Sequence, residues 1–124
     1  MNNEPTNVVQ LVPAGKIRCY ITGKLRPDKP EEHVRQRWAR SLVEEYGYDP
    51  ADIEVEFRIK IGSARGGIDL AVFHPGDAHK QENVYIAIEA KRPEVKPTDR
   101  AEGVGQLKSY MSACSRCRHG IWVA

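Results

Sequence analysis

Between Ile53 and Ile61 the chain alternates without a break: Ile53, Val55, Phe57, Ile59 and Ile61 are apolar, and Glu54, Glu56, Arg58 and Lys60 between them are charged. Successive side chains of a β-strand point to opposite faces, so this run specifies a strand with one apolar and one solvated face. A strand of that kind has to bury its apolar face against other elements. The next thirty residues supply two of them. Gly62-Ser63-Ala64-Arg65-Gly66-Gly67 reads as a flexible turn, Ile68 to Phe73 as a second strand, His74 to Asn83 as a polar loop, and Val84 to Ala90 as a third strand. The three strands make an antiparallel meander.

Helical patterns flank the meander. Asp28-Lys29-Pro30-Glu31 is a helix start, with Asp28 as cap, Pro30 in the first turn and acidic residues at the positive end of the dipole. The helix is predicted to run to about Tyr46 and to end at Gly47. Val34, Trp38, Ser41, Leu42 and Glu45 recur at helical spacing, and Glu31 falls on the same inward face. That phase points Glu32, Arg35 and Arg40 elsewhere. A second helix is predicted over Ala101 to Ala113, with Val104, Leu107, Lys108 and Met111 on one stripe. Gly103 and Gly105 weaken its first turn and favour a start one turn later. His119 to Val123 closes the order as another strand. The fold class is therefore α/β, a mixed sheet containing a three-strand antiparallel meander flanked by helices.

Upstream, residues 1–7 are polar, Val8 to Leu11 is a short apolar piece, and Ile17 to Ile21 is an edge strand or an arm packed on the domain. Lys24 to Lys29 reads as a basic connector, so residues 1–23 are taken as an N-terminal arm and 24–124 as one domain. Ile121-Trp122-Val123-Ala124 has the character of the middle of a buried strand, which implies a chain that continues past residue 124.

Composition narrows the function classes. The net charge of +2, from 19 basic and 17 acidic residues, neither demands nor excludes nucleic acid, because a local patch matters more than a total. No apolar run is long enough to span a membrane, and the first residues lack a signal-peptide layout, so the cytoplasm is the default compartment. Cys19, Cys114 and Cys117 are an odd set, against a disulfide framework. Cys114-Ser115-Arg116-Cys117 has half-zinc-site spacing, and Cys19, His119 and His33 are the residues that would complete it; free thiols are the simpler reading. His33, His74, His79 and His119 show no triad or metal spacing. Trp38 and Trp122 read as core residues.

The residues that stand out chemically are Asp69, between Ile68 and Leu70, and Glu89-Ala90-Lys91, at the end of an apolar run. Glu89 and Lys91 are two apart and share one side of their strand. Acids inside apolar strands cost free energy unless something pairs them. A divalent ion and a phosphate would do so. Mg²⁺ prefers hard oxygens and retains waters, so Asp69, Glu89 and the carbonyl of Ala90 suffice, with Glu31 able to add an oxygen. Lys91 would then stand beside an attacking water. Taken alone, the same residues fit a turn cap and a surface ion pair equally well.

Several stretches in order decide between these: Lys29-Pro30-Glu31-Glu32-His33-Val34-Arg35-Gln36, Tyr46-Gly47-Tyr48, Arg65-Gly66-Gly67-Ile68-Asp69, Ile88-Glu89-Ala90-Lys91-Arg92-Pro93 and Gly105-Gln106-Leu107-Lys108-Ser109-Tyr110. The set resembles the PD-(D/E)XK nuclease pattern, with Gly67-Ile68 where the Pro-Asp would begin. More closely, it resembles the N-terminal nuclease domain of type I restriction enzyme R subunits and relatives fused to N6-adenine DNA methylases. The resemblance implies a restriction-endonuclease-like core and a Mg²⁺-dependent DNA endonuclease, with Mn²⁺ able to substitute. It implies Asp69, Glu89 and Lys91 as the catalytic core, and an early-helix glutamate as accessory metal ligand. The family motif leaves Glu31 or Glu32 open; the helical phase favours Glu31. Gln106 and Tyr110 would form a Q-x-x-x-Y element on one helix face, binding the DNA backbone or holding the lysine.

Implied partners are double-stranded DNA and methylase or specificity subunits or domains. ATP and S-adenosylmethionine would enter only through other domains, in keeping with the lack of a phosphate-cradling G-x-x-x-x-G-K-[ST] here. Arg65, Lys60, Arg92, Lys96 and Lys108 are candidates for a DNA-facing patch. The rival readings are an inactive nuclease-like module that binds DNA or scaffolds a complex, and a repair or junction nuclease on the same fold.

Overall fold

The computed structural model describes residues 11–124, so the polar start at 1–7 and residues 8–10 lie outside the described residues. Its elements are β1 (Lys16–Arg18), β2 (Leu25–Pro27), α1 (Pro30–Glu44), β3 (Ile53–Ile61), β4 (Ala64–Val72), β5 (Ile86–Ala90), α2 (Val104–Ala113) and β6 (His119–Val123). A four-stranded sheet has the order β3-β4-β5-β6. The β3–β4 and β4–β5 pairs are antiparallel, and β6 runs parallel to β5. A parallel neighbour needs a crossover, and α2 provides it. The α/β class, the mixed sheet and the meander are those the sequence specifies. The second helix does start late, at Val104, with Gly103 as its N-cap residue.

Several local features differ from the sequence-based expectations. First, the hairpin turn is only Gly62-Ser63, because Ile61 pairs with Ala64. Gly62 has φ of 59°, the left-handed backbone such a tight turn requires, so Arg65, Gly66 and Gly67 extend β4 instead of forming a loop. Second, β1 and β2 pair as a hairpin with Ile17 opposite Arg26, so residues 16–18 lie in a paired strand and not in an isolated arm. Its loop is tied to α1, since the Tyr20 N–H donates to Gln36 Oε1 at 2.6 Å.

Third, α1 is rotated from its predicted phase. Its buried residues are Glu32, Val34, Arg35, Ala39 and Leu42, whereas Glu31 is half-buried and Glu45 exposed. Apolar periodicity misses this because two charged side chains are paired on the inward face. Asp28 does not cap the helix; Lys29 is the N-cap residue, and Asp28 Oδ1 instead lies 2.5 Å from His33 Nε2. On α2, likewise, Leu107 and Tyr110 are buried while Lys108 is exposed.

Fourth, the apolar side chains of β3 do not share one face. Ile53 and Val55 pack with Ala39 and Leu42 of α1, while Phe57, Ile59 and Ile61 pack with Leu107 and Tyr110 of α2. β4 turns over at the matching place: Leu70 and Val72 join the α1 layer and Ile68 joins the α2 layer. The reversal sits at Glu56, whose φ is 53°, and at Asp69 opposite it, where the ladder skips from Val55↔Leu70 to Phe57↔Ile68. Left-handed backbone is unfavourable for a residue with a Cβ and persists only where its surroundings enforce it. Finally, β6 lies at the sheet edge with Ile121, Trp122 and Val123 only half-buried, less enclosed than its apolar run suggests.

Candidate active site

The β4–β5 ladder runs from Val72↔Ile86 to Leu70↔Ile88 and stops. One step further stand Asp69 and Glu89, and there side chains replace the backbone pairing. The Asp69 N–H donates to Glu89 Oε1 at 3.2 Å, and the Ala90 N–H donates to Asp69 Oδ2 at 2.8 Å. Buried backbone donors must be satisfied, so the two acids are held by the amides that the splayed strands leave free. Glu89 is only 2% exposed.

Lys91, two residues on, shares the side of Glu89. Its Nζ lies 3.6 Å from Glu89 Oε2 and donates to Gln106 Oε1 at 2.7 Å. Gln106 is thus hydrogen-bonded to the lysine. Tyr110 follows one turn later, buried, with its ring against Gly66; a Cβ at that glycine would lie 2.8 Å from Tyr110 Cε1. Gly66 is therefore required by close approach, not by a loop conformation.

From the other side α1 brings Arg35. Its Nη2 donates to Asp69 Oδ1 at 2.8 Å and its Nη1 to Glu32 Oε1 at 2.9 Å. Glu32 also accepts from Arg26 Nε at 2.7 Å and from Gln36 Nε2 at 2.8 Å. Arg26 Nη2 reaches Glu56 Oε1 at 2.6 Å. Glu31, expected inward, instead lines a small cleft of about 140 Å³ with Lys29, Arg26 and Glu56, over Glu32 and Arg35. No hydrogen bond or ion pair of its carboxylate is found among the described residues. Sequence patterning does not reveal Arg26, Glu32, Arg35 and Glu56 as parts of one network. The available signal was the i, i+3 spacing of Glu32 and Arg35, which allows an ion pair to turn inward.

Residues 30–123 match the family described as type I restriction enzyme R protein N terminus (HSDR_N). The chain belongs to this family. Comparison with curated proteins and with solved structures gave no match. In this family member the matched segment contains Asp69, Glu89, Lys91, Gln106 and Tyr110, the residues the fold brings to one end of the central strands.

The electrostatics of that end are unbalanced. Burial, and then the neighbouring charge of Asp69, push the Glu89 carboxyl up to about 8, although Lys91 opposes the shift. Burial, followed by the charges of Glu89 and Asp69, also raises the Tyr110 hydroxyl. Among the described residues no three His, Cys, Asp or Glu side chains form a ready-made metal cage. None of the three cysteines forms a disulfide among the described residues, and burial, followed by the neighbouring Cys117, pushes Cys114 up to about 11. Of the basic candidates, Lys60, Arg65, Lys96 and Lys108 are exposed, whereas Arg92 is engaged by Glu102 at 3.1 Å and Glu94 at 3.5 Å. Among the described residues no helix is long and apolar enough to cross a membrane.

Proposed function

We propose that this restriction enzyme R N-terminal domain is a Mg²⁺-dependent endonuclease that hydrolyses phosphodiester bonds of double-stranded DNA within a restriction–modification system. The observation that carries this reading is the meeting of Asp69, Glu89 and Lys91 where β4 and β5 part. The donor set suits the ion. Mg²⁺ is commonly held by one or two carboxylates with waters and substrate phosphate completing the shell, so the lack of a third acid is no obstacle. The buried Glu89 carboxyl, pushed up to about 8, and the partly buried Asp69 beside it also form a site whose charged state a divalent cation would favour.

Asp69 and Glu89 would hold the ion, with the Ala90 carbonyl as a further oxygen; Mn²⁺ is the natural substitute. When bound, the ion supplies charge neutralisation at the phosphate and a water acidic enough to attack near neutral pH. Lys91, steadied by Gln106, orients that water or meets the charge developing on the phosphate. Tyr110, buried and packed on Gly66, would fix the α2 side of the site. ATP and S-adenosylmethionine act through other domains or subunits, which also carry methylation and sequence specificity.

The test is cleavage of plasmid DNA by the full chain, together with its partner subunits, in Mg²⁺ or Mn²⁺. Cutting is expected in the wild type and absent in Asp69→Asn, Glu89→Gln and Lys91→Ala. Cutting that persists in excess EDTA rules the proposal out. Salt-dependent DNA binding without products under any divalent ion identifies the inactive binding module instead, and preference for branched over linear duplex identifies a junction nuclease.

A further inference from the structure

The helix glutamate of this site has its oxygens occupied. Glu32 is 4% exposed; its Oε1 accepts from Arg35 and Arg26, and its Oε2 accepts from Gln36. Arg35 is 7% exposed; its Nη1 donates to Glu32, and its Nη2 donates to Asp69 Oδ1 at 2.8 Å and, more weakly, to Glu56 Oε1 at 3.5 Å. Asp69 Oδ2 is fixed by the Ala90 N–H. A carboxylate offers about four lone-pair positions, so Asp69 keeps acceptor capacity beyond these two bonds, but its plane and rotamer are set by them. A planar guanidinium suits this task, because its donors are rigidly spaced and can bridge two acids at once.

We propose that Glu32 and Arg35 form a positioning pair: α1 contributes to the metal site by fixing the Asp69 carboxylate through a guanidinium, and Glu32 does not itself ligate the ion. This rests on the metal-site reading above. Glu32 grips Arg35, Arg35 aims Asp69, and Arg26 steadies Glu32 from the β1–β2 hairpin while bonding Glu56. The N-terminal hairpin is then part of the site's support, linked to Asp69 through three successive ion pairs.

Direct ligation and positioning differ in how two variants combine. Mn²⁺ binding to the 124-residue chain, followed by the electron paramagnetic resonance of free Mn²⁺, is compared for wild type, Glu32→Gln, Arg35→Lys and the double variant, with thermal unfolding as a check of folding. The positioning pair predicts that each single variant weakens Mn²⁺ by about tenfold, as supporting residues around metal ligands do, and that the double variant is no weaker than either. Multiplying factors, or loss of Mn²⁺ in Glu32→Gln as complete as in Asp69→Asn with Arg35→Lys unchanged, makes Glu32 a ligand and overturns the proposal. Should Glu32→Gln fail to fold, Arg35→Lys decides alone: a tenfold loss supports the pair and an unchanged affinity refutes it. A wild-type chain that binds no Mn²⁺ overturns the metal reading and this inference with it.

Discussion

The two ends of the β4–β5 pair are built on opposite principles, one residue apart. At one end Leu70, Val72, Ile86 and Ile88 are paired in register and almost wholly buried, under Ala39 and Leu42. At the other end Asp69 and Glu89 interrupt the ladder, and carboxylates occupy amides that strand pairing would otherwise use. The first end is a hydrophobic core whose burial stabilises the domain. The second sets two acids side by side in a poorly solvated place, which costs stability. On the proposed reading, it is the splaying of two strands that marks the site, not a cavity. A concavity of about 650 Å³ beside Arg18, Tyr20 and Arg40 contains none of these acids.

Substituting each end in turn should separate the two roles. Glu89→Gln is expected to lower DNA cleavage by about 10²–10⁴-fold, the usual weight of a group that acts on the reacting centre, with no loss of thermal stability. Its immediate neighbour should do the reverse. Ile88→Ala removes a fully buried side chain and is expected to cost about 2–5 kcal/mol, lowering the melting midpoint by on the order of 10 °C. Scanning calorimetry and cleavage assays on the two variants check the pair. Equal damage to folding by both would erase the distinction.

A third prediction uses pH to sharpen it. Glu89 has an ordinary carboxyl value of 4.5 when unfolded and is pushed up to about 8 in the fold. The folded chain therefore binds the proton more tightly, and this contribution is fully present below pH 4.5 and is lost as pH rises toward 8. The metal-free chain should lose stability across that window, with a slope no steeper than about 1.4 kcal/mol per pH unit for one proton. Glu89→Gln should flatten the slope, and Mn²⁺ should stabilise most at the alkaline end, where the carboxylate is charged. A wild-type slope that matches Glu89→Gln would show that the buried carboxyl is not the titrating group.

The apolar end was far more legible in the sequence than the charged one. Alternation in β3, the apolar runs of β4 and β5, and glycines delaying α2 are local signals, and they specify the meander and the mixed sheet. Asp69, Glu89 and Lys91 were legible because charges inside apolar strands are conspicuous. Glu32 and Arg35 were not: a hydrophobic-periodicity argument assigns charged residues to solvent, and only tertiary pairing with Arg26 and Asp69 turns them inward. The face reversal was hidden for a similar reason. Ile53 to Ile61 is a regular alternation by composition, and a single left-handed residue in its middle changes which helix each half meets.

That residue yields the smallest and most local test. Glu56 holds φ at 53° opposite Asp69, and the regular alternation of Val55 and Phe57 around it gives no local sign of a reversal. What enforces it is the need to present two different faces, Val55 toward α1 and Phe57 toward α2, while Asp69 swings out of the ladder. Side-chain loss and backbone strain can be separated by comparing two truncations. Glu56→Ala and Glu56→Gly both remove the bond from Arg26, a partly exposed pair of modest worth. Only glycine adopts the left-handed backbone without a Cβ penalty, so Glu56→Gly should be the more stable of the two by about 1 kcal/mol in urea titration. In an ordinary strand the order is opposite, with glycine the weaker residue. The sign of a single difference therefore reports whether β3 turns over at this point, and with it whether the splayed end of the sheet is imposed by the backbone or by the acids alone.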